Sequence, residues 1–164
     1  MENNKTKYIW GLLRIGMGWI FFWAFIDKLF GLGFATTPEK AWIEGGSPTF
    51  GFLSFATKGP FTEFYKNLAG NPVVDWLFML GLFFVGVTLL LGIFVKLGSY
   101  TGVLMLILMY TAGFILPVNN PFLDDHIIYT VLMIGFTISQ SGYYLGFGKL
   151  WSKTKLIQKY NIFE

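Results

Sequence analysis

Three ionisable side chains stand side by side at Asp124, Asp125 and His126, directly before a long apolar run. His126 is the only histidine of the chain, and imidazole exchanges protons near neutral pH. An adjacent carboxylate fixes the tautomer of an imidazole. Asp124, Asp125 and His126, which we call the outer group, therefore have the composition of a proton-transfer site. The competing interpretation is structural, because acids in the first turn of a helix stabilise its positive end. The residues alone leave both interpretations open.

Asp27 and Lys28 close the first apolar run on the same predicted side as the outer group. Packed helices lie roughly 8–10 Å apart, so a compact bundle would bring Lys28 within about one side-chain length of Asp124 to His126. There Lys28 would attract a small anion. An ordinary interfacial ion pair between Lys28 and one of the acids explains the pattern equally well.

Arg14 lies inside the first apolar run, where ionisable residues are functional candidates by default. It either extends toward the cytoplasmic interface or faces the interior of the bundle. The aromatic residues Trp19, Trp23 and, on the last run, Tyr129 would form a wall for a quinone ring. Lipid contact and packing are the competing explanation for these rings.

The composition is that of a membrane protein. Of 164 residues, 54% are hydrophobic, 20% aromatic and only 13% charged, and the mean hydropathy is +0.58. Without cysteine the chain offers no disulfide, thiolate nucleophile, haem-attachment motif or iron–sulfur ligation. One histidine with two acids is also a poor metal site. The net charge of +3 is small and dispersed, which argues against nucleic-acid binding.

The apolar runs predict an all-α integral membrane protein, a single domain in which four transmembrane helices form a bundle. The predicted helices cover about 8–28, 73–95, 97–116 and 124–147. A long outer loop, 31–72, carries a short amphipathic helix, since Phe61, Phe64, Tyr65 and Leu68 recur at helical spacing. The basic, aromatic tail 149–164 is expected at the membrane surface.

Basic residues mark one side of the predicted bundle. They are Lys5, Lys7, Arg14, Lys96, Lys149, Lys153, Lys155 and Lys159. Most acids fall on the opposite side, so the positive-inside rule places both termini in the cytoplasm and the outer group on the outer face.

A weak repeat marks the starts of helices two and four, where NPVVDW begins at Asn71 and NPFLDD begins at Asn120. Each stretch predicts an N-cap asparagine, proline at the first helical position and an aspartate in the first turn. The repeat supports the structural interpretation of the outer group, although helix two has no histidine at the matching place.

Three stretches carry a family resemblance: FFWAFIDKLFGLGFATTPEKAWIEGGSPTFGFL, DWLFMLGLFFVGVTLLLGIFVKLGSYTG and NNPFLDDHIIY. Together they resemble the DoxX/DoxD-like membrane family over nearly the whole chain. Arg14 with Gly18 is similar to the arginine-glycine pattern of the family's first helix, and Lys28 to Gly31 is similar to the motif that closes it. Unlike many relatives, this chain has no glutamate early in helix two, where Met79 to Phe84 is apolar.

The resemblance implies a four-helix protein of the cytoplasmic membrane, and its best-known branch is the membrane subunit of thiosulfate:quinone oxidoreductase. The leading hypothesis is therefore a quinone-linked oxidoreductase subunit that oxidises thiosulfate or a related sulfur anion at the outer face. Lys28 would attract the anion, His126 with Asp124 or Asp125 would move protons, and Arg14, Trp19, Trp23, Asp27 and Tyr129 would contact the quinone. A partner subunit is expected. The alternative is a non-catalytic membrane anchor of a larger respiratory or redox complex.

The orientation is testable, because a single cysteine introduced into this cysteine-free chain is its only thiol. In intact cells a membrane-impermeant maleimide should label Glu44→Cys, in the outer loop, and should label Lys155→Cys only after lysis. Labelling of position 155 but not of position 44 in intact cells would reverse the topology.

Overall fold

The computed structural model describes residues 4–114 and 123–155. These residues form helices and contain no strand. The α-helices, numbered in chain order, are α1 (Asn4–Phe30), α2 (Thr62–Lys66), α3 (Pro72–Leu91), α4 (Val95–Gly113), α5 (Asp125–Ile138) and α6 (Gly148–Trp151). The prediction of an all-helical chain is confirmed for this part of the protein.

Three of these helices, α1, α3 and α4, are long and apolar enough to cross a membrane. The fourth long helix, α5, has only 14 residues. At 1.5 Å per residue it is about 21 Å long, shorter than a hydrocarbon layer of about 30 Å. The chain is a multi-pass helical membrane protein, but α5 does not show the full fourth span that the sequence predicted.

The helix predicted as the fourth span, α5, ends at Ile138 rather than near Phe147. Gln140 and Leu145 adopt left-handed backbone conformations, with φ of 49° and 55°. Serine and glycine in this stretch favour a helix end over continuation. The sequence prediction ran through it because the tyrosines and leucine that follow are apolar.

The link between the second and third long helices also lies elsewhere than predicted. Gly92 ends α3 with a left-handed φ of 72°, and α4 already begins at Val95. Lys96 is therefore in the first turn of α4 rather than between the helices. The predicted tight antiparallel hairpin itself is confirmed, because α3 and α4 pack against each other.

Side chains of α1, α3, α4 and α5 share one apolar core. α1 packs mainly on α3, and α4 packs on both α3 and α5. α1 and α5 contact each other little. Where they do meet, toward the start of α1, the Trp10 ring packs edge-on against Phe136 and lies against Gly135.

Hydrogen bonds pin the segment between α1 and α3 onto the ends of the helices. Asp27, buried in α1, accepts the backbone N–H groups of Phe34 and Ala35 at 3.1 and 2.9 Å. Asp75, in the first turn of α3, accepts the Thr49 hydroxyl at 2.6 Å. This segment is therefore a folded cover rather than a loose linker.

The predicted short helix of this cover is present as α2. Tyr65 is buried, and its hydroxyl lies 2.7 Å from the Thr111 hydroxyl of α4. Phe61 and Phe64 point outward and are 52% and 61% exposed. Exposed phenylalanines on an amphipathic helix fit the headgroup region of a bilayer.

The predicted capping repeat holds for only one helix. Asn71 caps α3 by accepting the Val73 N–H, and proline follows at the first position. In α5 the N-cap is Asp124 instead, so Asp124 lies before the first turn and not inside it. Asn120 lies outside the described residues, as does the tail from position 156 onward.

Arg14 is completely buried and makes every bond it can to backbone carbonyls. Its Nε, Nη1 and Nη2 atoms donate to the carbonyl oxygens of Leu89, Leu90, Ser141, Tyr144 and Leu145. A guanidinium has five N–H groups in a planar fork, which suits such a ring of acceptors. Two of these carbonyls end α3, where the helix dipole also favours a cation. Arg14 therefore faces the bundle interior and joins α1 to the end of α3 and to the chain that follows α5.

Glycines permit this close approach around the arginine. A Cβ at Gly18 would lie 2.8 Å from the Leu90 nitrogen, so α1 and α3 touch there through their backbones. At Gly92 the positive φ turns the chain beside the guanidinium. Larger residues would push the carbonyls out of hydrogen-bonding range.

Arg14→Leu should destabilise the bundle by at least about 3 kcal/mol, because a buried acceptor without a partner costs roughly 1–3 kcal/mol. Arg14→Lys should recover only part of this, since an ammonium group cannot serve five acceptors spread over a plane. The measurement is thermal unfolding in detergent, with Lys28→Leu as the control that removes another cation from α1. Equal melting temperatures for Arg14→Leu and the parent would contradict the structural role.

Candidate functional site

His126 and Asp124 form a hydrogen-bonded pair at the start of α5. The His126 Nδ1 atom lies 2.7 Å from Asp124 Oδ2, and both side chains are partly buried. The other Asp124 oxygen, Oδ1, accepts the Ile127 N–H at 3.1 Å. One carboxylate thus caps the helix and holds the imidazole, so the capping and functional interpretations of the outer group are compatible.

The pairing defines what the imidazole can do. A carboxylate accepts, so the neutral ring carries its proton on Nδ1 and presents Nε2 as an unprotonated nitrogen. No described residue bonds to Nε2. His126 can therefore take up a proton at Nε2 and release it to a bound molecule while Asp124 keeps the ring in place.

A half-open cavity of about 130 Å³ lies beside this pair and is bordered by the four long helices. We call it the ring cavity. Its apolar lining consists of Ile20, Phe21, Ala24, Leu82, Leu106 and Met109. Its remaining lining residues, Asp125, His126 and Tyr129, come from α5. The surface of the cavity is almost entirely apolar, and small-molecule sites are predominantly apolar.

Lys28 does not line the ring cavity, and no ion pair joins it to Asp124 or Asp125 within the described residues. It does lie four residues beyond Ala24, and residues at this spacing are neighbours on one side of a helix. Lys28 is partly buried in the last turn of α1. It therefore stands one turn beyond the cavity on the α1 side.

The other residues that were predicted to contact a quinone fall into two groups, buried ionisable residues and aromatic residues. Arg14 and Asp27 are buried, and their side chains form hydrogen bonds with backbone groups. Trp19 and Trp23 pack on each other with ring centroids 5.5 Å apart, and Trp19 is largely exposed on the outside of α1. Of these predicted contacts only Tyr129 lines the ring cavity.

Sequence reasoning missed the apolar walls of the ring cavity. Leu82, Leu106 and Met109 lie on α3 and α4 and carry no chemical signal in the sequence. Ala24 is conspicuous only as the smallest residue in the aromatic stretch FFWAF. The sequence did indicate the outer group, and Asp125 and His126 of this group line one edge of the cavity.

Comparisons with protein-family models, with curated proteins and with solved structures gave no match for this chain. The case for a function therefore rests on the residues and their geometry.

Substitutions at Asp124 should separate its two roles. Asp124→Ala should lower the free energy of unfolding by about 0.5–2 kcal/mol through loss of the cap. Asp124→Asn should stay within a few tenths of a kcal/mol of the parent, because asparagine caps about as well as aspartate. Chemical or thermal unfolding measures both, with Asp125→Ala as the neighbouring control. Equal effects of Asp124→Ala and Asp125→Ala would show that the capping bond does not matter.

Proposed function

We propose that this chain is the membrane subunit of a quinone-linked oxidoreductase, with the quinone ring in the ring cavity. The observation that carries the proposal is the apolar chamber with the His126–Asp124 pair at its edge. A quinone is an apolar ring whose two oxygens need hydrogen-bonding partners. The cavity walls are aliphatic and aromatic, and His126 is among the residues that line it. In this proposal His126 Nε2 is the hydrogen-bonding partner of one ring oxygen.

The size of the cavity supports a ring as its occupant. Its volume is about 130 Å³, and an engineered apolar cavity of roughly 150 Å³ in another protein holds a benzene molecule. Drug-sized ligands need roughly 300–1,000 Å³. A single six-membered ring therefore suits this cavity.

His126 is the proposed proton-transfer residue. A bound quinone accepts two electrons and two protons to become a quinol. His126 would donate one of these protons from Nε2 to the adjacent ring oxygen and then recover a proton from water at the outer end of α5. The other ring oxygen would take its proton from water. Asp124 would hold the ring by its bond to Nδ1 and stabilise the imidazolium before the proton leaves.

Lys28 is the proposed electrostatic anchor for an anionic electron donor. Thiosulfate is the first candidate, from the resemblance to the DoxX/DoxD-like family. Joining two thiosulfate ions through a new S–S bond to give tetrathionate releases two electrons, which balances the reduction of one quinone. Lys28 lies one turn beyond Ala24, so an anion held there would be close to the ring. The electrons would pass directly to the ring or through a partner subunit.

A non-catalytic anchor in a larger respiratory or redox complex is the second candidate. Three buried ionisable residues favour it, because their hydrogen bonds hold the fold together. They are Arg14, Asp27 and Asp75. In both cases the surroundings are the lipid of the cytoplasmic membrane, with both termini on the cytoplasmic side.

His126→Gln separates these candidates. Glutamine is polar and of similar size but cannot carry the proton, so the enzyme proposal expects normal membrane levels with quinone reduction lowered by about 10²–10⁴-fold. Membranes from matched expression cultures are assayed with thiosulfate and a soluble quinone. Glu63→Gln, which neutralises an exposed acid of the cover, is the control.

Lys28→Ala should raise the thiosulfate concentration needed for half-maximal rate, because it removes the attracting charge. If His126→Gln, Lys28→Ala and Glu63→Gln all turn over like the parent at equal abundance, the catalytic proposal is wrong. Normal assembly of the parent complex with His126→Gln would then support the anchor.

A further inference from the structure

α1 and α5 touch near the inner end of the bundle and separate toward its outer end. At the inner end Trp10 lies against Gly135, and Arg14 bonds to the carbonyls that follow α5. At the outer end the ring cavity lies between Ala24 on α1 and Tyr129 on α5. The two helices therefore border a wedge-shaped cleft whose wide end contains the cavity.

The flanks of this cleft are apolar and exposed. Ile20, which lines the cavity from α1, is 45% exposed. Ile128 precedes Gly135 by seven residues, or about two turns, so both lie on the same side of α5. Gly135 is covered by Trp10, whereas Ile128 is 52% exposed.

We propose that this cleft is a lateral entrance from the bilayer, and that the ligand of the ring cavity is a ring with a long apolar tail. This inference rests on the proposed function and adds the route and the class of ligand. The ring occupies the chamber, and the tail leaves between Ile20 and Ile128 into the lipid.

Two features favour the lateral route over a route from the water. First, a cavity of about 130 Å³ is similar in volume to one that holds a single benzene ring, so a long tail would extend beyond it. Second, the outer edge carries Asp125 and His126, with Lys28 one turn beyond Ala24, and placing a hydrocarbon tail among these groups would remove water from them at a cost. The cleft flanks offer only apolar contacts.

Ala24 is the residue that sets the width of the entrance. It is the smallest side chain lining the ring cavity, and it lies one turn from Ile20 on the same side of α1. A phenylalanine at this position would occupy the space of the ring. Val131 provides the matched control, because it lies on the exposed side of α5 and does not line the cavity.

The test uses the full chain in lipid nanodiscs and an alkyl-substituted benzoquinone with a diazirine on the tail carbons next to the ring. After illumination, peptide mapping should find the label in the segments that contain Ile20 or Ile128, and excess unlabelled quinone should suppress it. Ala24→Phe should lower this labelling roughly tenfold or more, whereas Val131→Phe should leave it unchanged.

The positions of the label distinguish a wrong entrance from a failure of quinone binding. Suppressible label found only in the cover, 31–72, would overturn the lateral entrance and leave quinone binding standing. Labelling that unlabelled quinone does not suppress would refute quinone binding and the entrance together. The mapping on the parent protein decides the route even if Ala24→Phe fails to fold. Equal labelling of Ala24→Phe and Val131→Phe would refute the role of Ala24.

Discussion

The bundle depends on one buried cation that has no carboxylate partner among the described residues. Arg14 sits inside α1 with its five N–H groups directed at backbone carbonyls from the end of α3 and from the chain that follows α5. A charge in an apolar interior is costly unless it is fully hydrogen-bonded, and helix ends have carbonyls without partners of their own. The guanidinium donates to these carbonyl oxygens, so both the donors and the acceptors gain partners. Arg14 therefore fixes where α3 ends, where the chain after α5 turns back and how closely α1 approaches both.

This constraint at one end of the bundle also shapes the opposite end. Because α1 is tied to the chain after α5 at Arg14 and to α5 itself at Trp10, the two helices are held together there, and the ring cavity lies between them toward the opposite end. Asp27 and Asp75 meanwhile hold the cover onto α1 and α3 rather than onto α5. The start of α5 is left with its own cap, Asp124, and beside it the space that forms the ring cavity.

The sequence predicted the parts of the fold that depend on local pattern. Apolar runs located the long helices, and Asn71 with Pro72 correctly marked the start of α3. The end of α5 was missed, because carbonyls that bond to Arg14 from far along the chain take no part in the local pattern. The outer group was located by residue type alone, since a histidine beside two acids is conspicuous in so apolar a chain. The cavity walls were not predictable, because which leucines and methionines line a space depends on how far two helices diverge.

A density map of the protein in lipid nanodiscs with saturating quinone tests the proposed quinone site most directly. We expect planar ring density between Ala24 and Tyr129, with one ring oxygen within hydrogen-bonding distance of His126 Nε2 and tail density between Ile20 and Ile128. Ring density elsewhere on the protein, or a cavity filled by side chains or by an acyl chain under the same conditions, would contradict it.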